Sequence, residues 1–230
     1  MNNLTNKQLN LKNELPLLLL LFFSMLYVTL KVICNPLFFR QIEFTLTFIN
    51  YSVNLTGAAF VYSFIYIISD IIVLLSNRRY AIFIILFGIV CDGLFSYIMY
   101  FTSTISTPPF LSNMILMNTL AVNTIGANMW SLFYHGLLAA SIAAVAELLI
   151  FSILYKKIHS FFVSTVTSVI VTLISHNLFN DYFMLKDNPE HWGLIIHNLT
   201  VNIIIMVIYA TIISTILFIK AKILPKWINS

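Results

Sequence analysis

Gly57-Ala-Ala-Phe-Val-Tyr-Ser-Phe-Ile-Tyr-Ile-Ile-Ser-Asp-Ile-Ile-Val-Leu-Leu75 carries a single formal charge, at Asp70, in an otherwise uncharged and mostly apolar run. Its length matches the roughly 20 residues that an α-helix needs to cross a hydrocarbon core about 30 Å thick. Runs of the same character recur at 16–33, 80–101, 131–155, 161–183 and 194–219, and with 56–75 they predict six spans. Composition points the same way. The 230 residues are 60% hydrophobic and 9% charged, with mean hydropathy +0.95, whereas soluble domains carry about 25% charged residues. Six spans and their loops use up the chain and leave no room for a soluble catalytic domain. The expected fold class is therefore all-α: a polytopic six-helix membrane domain over 16–219, between an N-terminal tail (1–15) and a basic C-terminal tail (220–230).

Charge placement tests the segmentation. Lys7, Lys12, Arg78, Arg79, Lys156, Lys157, Lys220, Lys222 and Lys226 fall on one side of the membrane, and Lys31, Arg40 and Lys186 on the other. Nine of twelve on one side places both termini in the cytoplasm and reads as topology rather than as a nucleic-acid surface, because no basic stripe interleaved with aromatics exists. Cys34 and Cys91 lie in or beside apolar runs without ligand spacing and are expected to be packing residues. Two connections stand out. The charge-free stretch 103–130 breaks at Pro108-Pro109, and its apolar part, 110–122, is too short to cross, so it is expected along the outer interface or dipping into the bundle. The connection 35–55, with Phe38, Phe39, Phe44 and Phe48, is expected to pack on the outer face, and Asn50 and Asn54 head glycosylation-type sequons.

Ionisable groups inside spans cost about 2.5 to 3.5 kcal/mol each on insertion scales and usually face a cavity or a partner. Counted at 1.5 Å per residue from the basic anchors, Asp70 lies about 12 Å in, Glu147 about 13 Å and Asp92 about 20 Å, which suggests one layer near the midplane. No basic residue is expected at that depth. Tyr62, Tyr66 and Asp70 follow at i, i+4 and i+8, with Ser63 and Ser69 beside them. Such a stripe of rings, hydroxyls and a carboxylate suits a flat heterocycle: aromatic faces stack on the ring and a carboxylate accepts from its N–H groups. Tyrosines in a bundle also serve simply as packing residues. His176, Asn177, Asn180 and Asp181, then His197, Asn198 and Asn202, make polar strips near the outer ends of the last two spans. They can line a site or bond helix to helix. Asp92 and Glu147 are the candidates for carrying a proton. Metal-ligand spacing is absent, as are G-x-S-x-G, H-E-x-x-H and phosphate-loop motifs, so neither a metal, a cofactor nor an enzymatic activity is expected.

The stretch ending Ile67-Ile68-Ser69-Asp70 resembles the second-helix motif of the queuosine precursor transporter (VUT) family of six-helix bacterial inner-membrane proteins. Ala140-Ser141 with Ala144 resembles the Ala-Ser-x-x-Ala of its fourth helix, followed by the basic Lys156-Lys157 turn. Ser175-His176 stands where its fifth helix has Ser-Asp, and Glu190-His191-Trp192 resembles the approach to its last helix. The resemblance covers about residues 56–220. The chain departs from the motif at Ser63 for a Pro, Leu74 for an acid, Ser76-Asn77 for Tyr-Gly, Gly136 for an Arg and Ser152 for an Asp. The resemblance implies a fold similar to the substrate-binding subunits of energy-coupling-factor vitamin transporters, and import of 7-deazaguanine precursors such as preQ0 or preQ1.

Together these readings lead to one expectation: a transporter in a bacterial inner membrane, taking up a small planar nucleobase-like solute. The expected solute-binding residues are Asp70, Tyr62, Tyr66, Ser63, Glu147, His176, Asn177 and Asn202. The alternatives are a vitamin-type substrate-binding subunit, or a non-transporting membrane protein that binds a partner or lipid and uses its acids to tie helices together.

Overall fold

The computed structural model describes residues 2–38, 40–46, 51–106, 113–185 and 191–223. In chain order the elements are α1 (Asn2–Phe38), β1 (Gln41–Leu46), β2 (Tyr51–Thr56), α2 (Gly57–Leu75), α3 (Arg78–Ser103), α4 (Asn113–Ile158), α5 (Phe161–Leu185) and α6 (His191–Ile223). Five stretches are long and apolar enough to cross a membrane: Pro16–Phe38, Ala58–Leu75, Arg78–Ser103, Ala139–Ile158 and Ile195–Phe218. They are consistent with an integral membrane protein. In α5 the apolar stretch over described side chains is Phe161–His176, and the helix continues to Leu185.

The tight turns form for local reasons. Between α2 and α3, the Asn77 side chain accepts from the Tyr80 N–H at 3.0 Å and caps α3, meeting one of the donors that a helix start leaves unpaired. Between α4 and α5, His159 takes a left-handed backbone (φ 54°) and its N–H bonds the Tyr155 carbonyl at 2.9 Å, so that α4 ends as helices commonly do. Both turns carry the basic pairs that the sequence places at the cytoplasmic side.

At the centre stands α2, which touches the other five helices. Its apolar stretch is 61% buried, against 17% for those of α1 and α6. One face packs with α1 and α3 through Ile65, Ile68, Ile72, Tyr27, Ile85 and Ile89. The opposite face packs with α4, α5 and α6 through Ile67, Ile71, Phe151, Val169, Leu173 and Met206. The outer helices turn apolar residues outward: Ile204, Ile208, Ile212 and Ile216 form an exposed i, i+4 row on α6 that suits lipid. Small residues set the closest approaches, as is common between membrane helices. A Cβ at Gly126 would stand 2.5 Å from the Met99 carbonyl oxygen, and one at Gly88 2.8 Å from the Tyr27 ring.

Three features go beyond the sequence reading. The connection after α1 contains an antiparallel hairpin, with Gln41 opposite Thr56 through Leu46 opposite Tyr51, a two-stranded addition to a bundle that is otherwise all-helical as expected. The stretch from Asn113 is not a separate interfacial segment but the start of a 46-residue α4, about 69 Å long at 1.5 Å per residue. Gly126 of α4 seats against Met99 and Ser103 at the end of α3, and the residues before it carry α4 beyond that end. Finally, α1 begins at Asn2, so the expected tail continues the first helix. Asn50, Pro108, Pro109, Lys186, Glu190 and Lys226 lie outside the described residues.

Candidate functional site

Two polar layers lie inside the bundle. The deeper one joins α2, α4 and α5 around two fully buried carboxyls. Thr165 Oγ1 donates to Asp70 Oδ2 at 2.6 Å, Ser69 Oγ to Glu147 Oε2 at 3.0 Å and Ser168 Oγ to Glu147 Oε1 at 3.3 Å. Asp70 Oδ1 is buried with no hydrogen-bond partner among the described residues, and the Glu147 carboxyl lies close enough to act on Asp70 electrostatically.

The second layer lies toward the start of α2. There the Tyr66 hydroxyl donates to the Tyr62 hydroxyl at 3.1 Å, and Tyr62 Oη stands 3.1 Å from His176 Nε2 of α5. The two tyrosine rings meet edge to face at 5.1 Å between centroids. On the α1 side, Asn35 Nδ2 donates to Asp92 Oδ1 at 2.7 Å and reaches Ser96 Oγ at 3.5 Å. Ser63 Oγ donates to the Ala59 carbonyl at 3.0 Å and approaches the Asn202 carbonyl at 3.4 Å, while Asn202 Oδ1 is buried with no partner among the described residues.

Between the layers, four helices leave a narrow cavity lined by Tyr27 and Lys31 of α1, Tyr62, Ile65, Tyr66 and Ser69 of α2, Ile89 of α3, and Ala140 and Ala144 of α4. It has room for about one water molecule. Ser69 connects cavity and carboxyls, since it lines the first and donates to Glu147.

Comparison with family models, curated proteins and solved structures finds no match to this chain.

The geometry brings together much of what the sequence singled out, with four differences. Asp70 does not line the cavity. Eight residues along a helix turn it by about 80° from Tyr62, whereas Ser69 at i+7 returns to within about 20°, so the stripe runs Tyr62, Tyr66, Ser69 and Asp70 faces α5. Nor do the three acids form one cluster: Asp70 and Glu147 pair, but Asp92 faces Asn35 of α1. Depth along an axis carries no information about which face a residue occupies. Third, Lys31, expected beyond the membrane edge, lies inside the apolar stretch of α1, which runs on to Phe38. Its ammonium sits 5.6 Å from the centroid of the Tyr62 ring. The signal for it was the unbroken helical continuation through Val32, Ile33 and Cys34 after the lysine. Fourth, Tyr27 lines the cavity and the sequence reading had passed over it. Asn177 and Asp181 lie on α5, but their side chains are not among those described. No group of three His, Cys, Asp or Glu that could hold a metal occurs among the described residues.

Proposed function

We propose that the protein is a six-span bacterial inner-membrane transporter that imports a small planar nucleobase-like solute, by its family resemblance a 7-deazaguanine precursor of queuosine. The observation that carries this reading is the run of Tyr62, Tyr66 and Ser69 along one interhelical cavity, with Ser69 hydrogen-bonded to the buried Glu147. Rings to stack on, a hydroxyl to bond an edge, and a carboxyl pair behind it are the groups that hold a flat heterocycle away from water. A cavity with room for about one water is the closed form of such a site, and loading it requires α1 and α4 to part from α2. Glu147, one of the two carboxyls expected to carry a proton, lies directly behind Ser69 in this site.

The sixth span in this reading is α5. Tyr62 meets His176 while Asp70 meets Thr165, so α5 runs antiparallel to α2 through the same depth. It turns Ser164, Thr165, Ser168 and Thr172 to the interior, where all four are buried.

The test is uptake. A bacterial strain unable to make queuosine, expressing this chain, should regain queuosine in its tRNA at low external precursor. Absence of rescue, with no binding of preQ0, preQ1 or vitamin-like heterocycles to the purified protein, would overturn the reading. It would then favour a non-transporting membrane protein, a role supported by the hydroxyl donors on both oxygens of Glu147, which tie three helices together.

A further inference from the structure

Lys31 is a basic residue turned inward. It stands seven residues before the end of α1, about 10 Å of helix, from where a lysine ordinarily runs its stem along the helix to bring its ammonium to water. Here the side chain is half-buried and lines the cavity, and Nζ lies over the face of Tyr62 at 5.6 Å from the centroid. Gly88 makes room for the Tyr27 ring beside it: a Cβ there would meet that ring at 2.8 Å, and Lys31 Cγ only at an ordinary contact distance of 3.9 Å. Asp92 is close enough to act on Lys31 electrostatically, but it is held by Asn35, and Lys31 forms no ion pair among the described residues. The Tyr62 ring occupies one side of the ammonium as a cation–π partner and accepts none of its three N–H bonds in the ordinary sense. The residue lines the cavity, so a solute there lies within reach of those donors.

The other end of the cavity has the opposite character. Ser69 directs its hydroxyl hydrogen to Glu147 Oε2 at 3.0 Å and the Tyr66 carbonyl at 2.6 Å, so toward the cavity its oxygen is an acceptor. Tyr27, Tyr62 and Tyr66 form walls between the two ends.

We propose that Lys31 anchors the solute, and that the cavity selects a planar heterocycle with a hydrogen-bond acceptor at one edge and an N–H donor at the other, uncharged or anionic, against one that carries a cationic amine. The inference rests on the transport reading and narrows its solute class. An ammonium in a site shielded from water attracts a carbonyl, nitrile or carboxylate strongly and repels a second ammonium as strongly, since both effects grow as the dielectric falls. Of the two 7-deazaguanine precursors, the uncharged nitrile preQ0 fits this rule, and the aminomethyl form preQ1, a cation at neutral pH, does not.

The test uses the full chain in lipid nanodiscs and compares equilibrium binding of preQ0 and preQ1 to the wild type, Lys31→Arg and Lys31→Gln. The wild type should prefer preQ0 by about tenfold or more, corresponding to about 1.4 kcal/mol per decade. Lys31→Arg should keep the order, and Lys31→Gln should bring the two within about threefold of each other. Equal binding or a preference for preQ1 by the wild type overturns the proposal without recourse to any variant, and leaves the transport reading standing. A preference that Lys31→Gln leaves intact, in protein that melts like the wild type, overturns it equally. Binding of neither compound overturns the transport reading, and this inference with it.

Discussion

Among single residues, Glu147 and Thr165 hold the buried polar layer, and their substitutions separate shape from hydrogen bonding. Glu147→Ala strips Ser69 and Ser168 of their shared acceptor and opens space beside Asp70. Each serine keeps a backbone acceptor, the Tyr66 and Thr165 carbonyls, so the cost is mainly that of the cavity, about 2–5 kcal/mol for cutting a large buried side chain to Ala; this variant should melt well below the wild type in detergent, whereas Glu147→Gln keeps the volume and one acceptor and should lose much less. Thr165→Val is nearly the same shape but removes the donor to Asp70 Oδ2 while Oδ1 already lacks a hydroxyl or amide donor. It should destabilise by ~1–3 kcal/mol, and Thr165→Ser should recover most of it. Equal melting of Thr165→Val and wild type would show that Asp70 draws nothing from this bond. The acids themselves were legible in the sequence, because charge inside an apolar run has few innocent explanations. Their grouping was not: the angle around a helix decides it, and a spacing of eight residues carried Asp70 onto the face toward α5, where Thr165 meets it, while Ser69 took the place expected of it. Lys31 was missed because a basic residue near the end of an apolar run reads as a terminator until the helix is known to continue.

At the scale of elements, two glycines set the packing of α3 on α4, Gly93 under the Phe133 ring and Gly126 against the α3 backbone, and the second tests it more sharply. Helix propensity alone makes Gly→Ala favourable by about 1 kcal/mol inside a helix, and at Gly193, where a new Cβ meets nothing within 4 Å, only that gain should appear. At Gly126 the Cβ would lie 2.5 Å from the Met99 carbonyl oxygen and 3.0 Å from Ser103 Cβ. Backbone cannot rotate out of the way as a side chain can, so the two helices must separate, at a cost of typically 1–3 kcal/mol for an overpacked contact. Gly126→Ala should therefore lower the melting temperature while Gly193→Ala leaves it equal or higher. The reverse order would mean that α4 does not seat on α3 at this point. Element existence was read well from the sequence and element limits less well. All six helices lie where the apolar runs are, since length and hydropathy determine them. The hairpin was overlooked although Ile42, Phe44 and Leu46 alternate with Glu43 and Thr45, and Val53 and Leu55 with Asn54 and Thr56. That period of two is a strand signal, outweighed in the sequence reading by the density of phenylalanines. The continuity of α4 through 113–130 was hidden by the prolines before it, which suggested a break in the helix when they only precede its start.

For the whole molecule, the number of crossings is the property on which transport depends, and α5 decides it. Five helices meet the length and hydropathy of a crossing over their described residues, and in α5 the described apolar stretch, Phe161–His176, covers about 24 Å of a core of about 30 Å. Two observations favour six. The helix itself continues to Leu185, and its contacts with α2 run from Thr165 at Asp70 to His176 at Tyr62, parallel in depth to a helix that does cross. A helix buried among others needs less hydrophobicity than one facing lipid, since its neighbours and not the bilayer receive its hydroxyls. The count of basic residues agrees, for with six crossings Lys156, Lys157, Lys220, Lys222 and Lys226 share a side. The two alternatives differ in one observable. A reporter active only in the cytoplasm should work when fused after Arg79, after Lys157 and after Ser230, and should fail within 113–130 of α4. If α5 does not cross, the fusions after Arg79 and Lys157 will still be active, but the one after Ser230 will be silent, because α6 then carries the C-terminus outward. Activity at all three positions with silence in α4 establishes six crossings, and a silent C-terminus removes the sixth together with the alternating arrangement of helices that the transport reading requires.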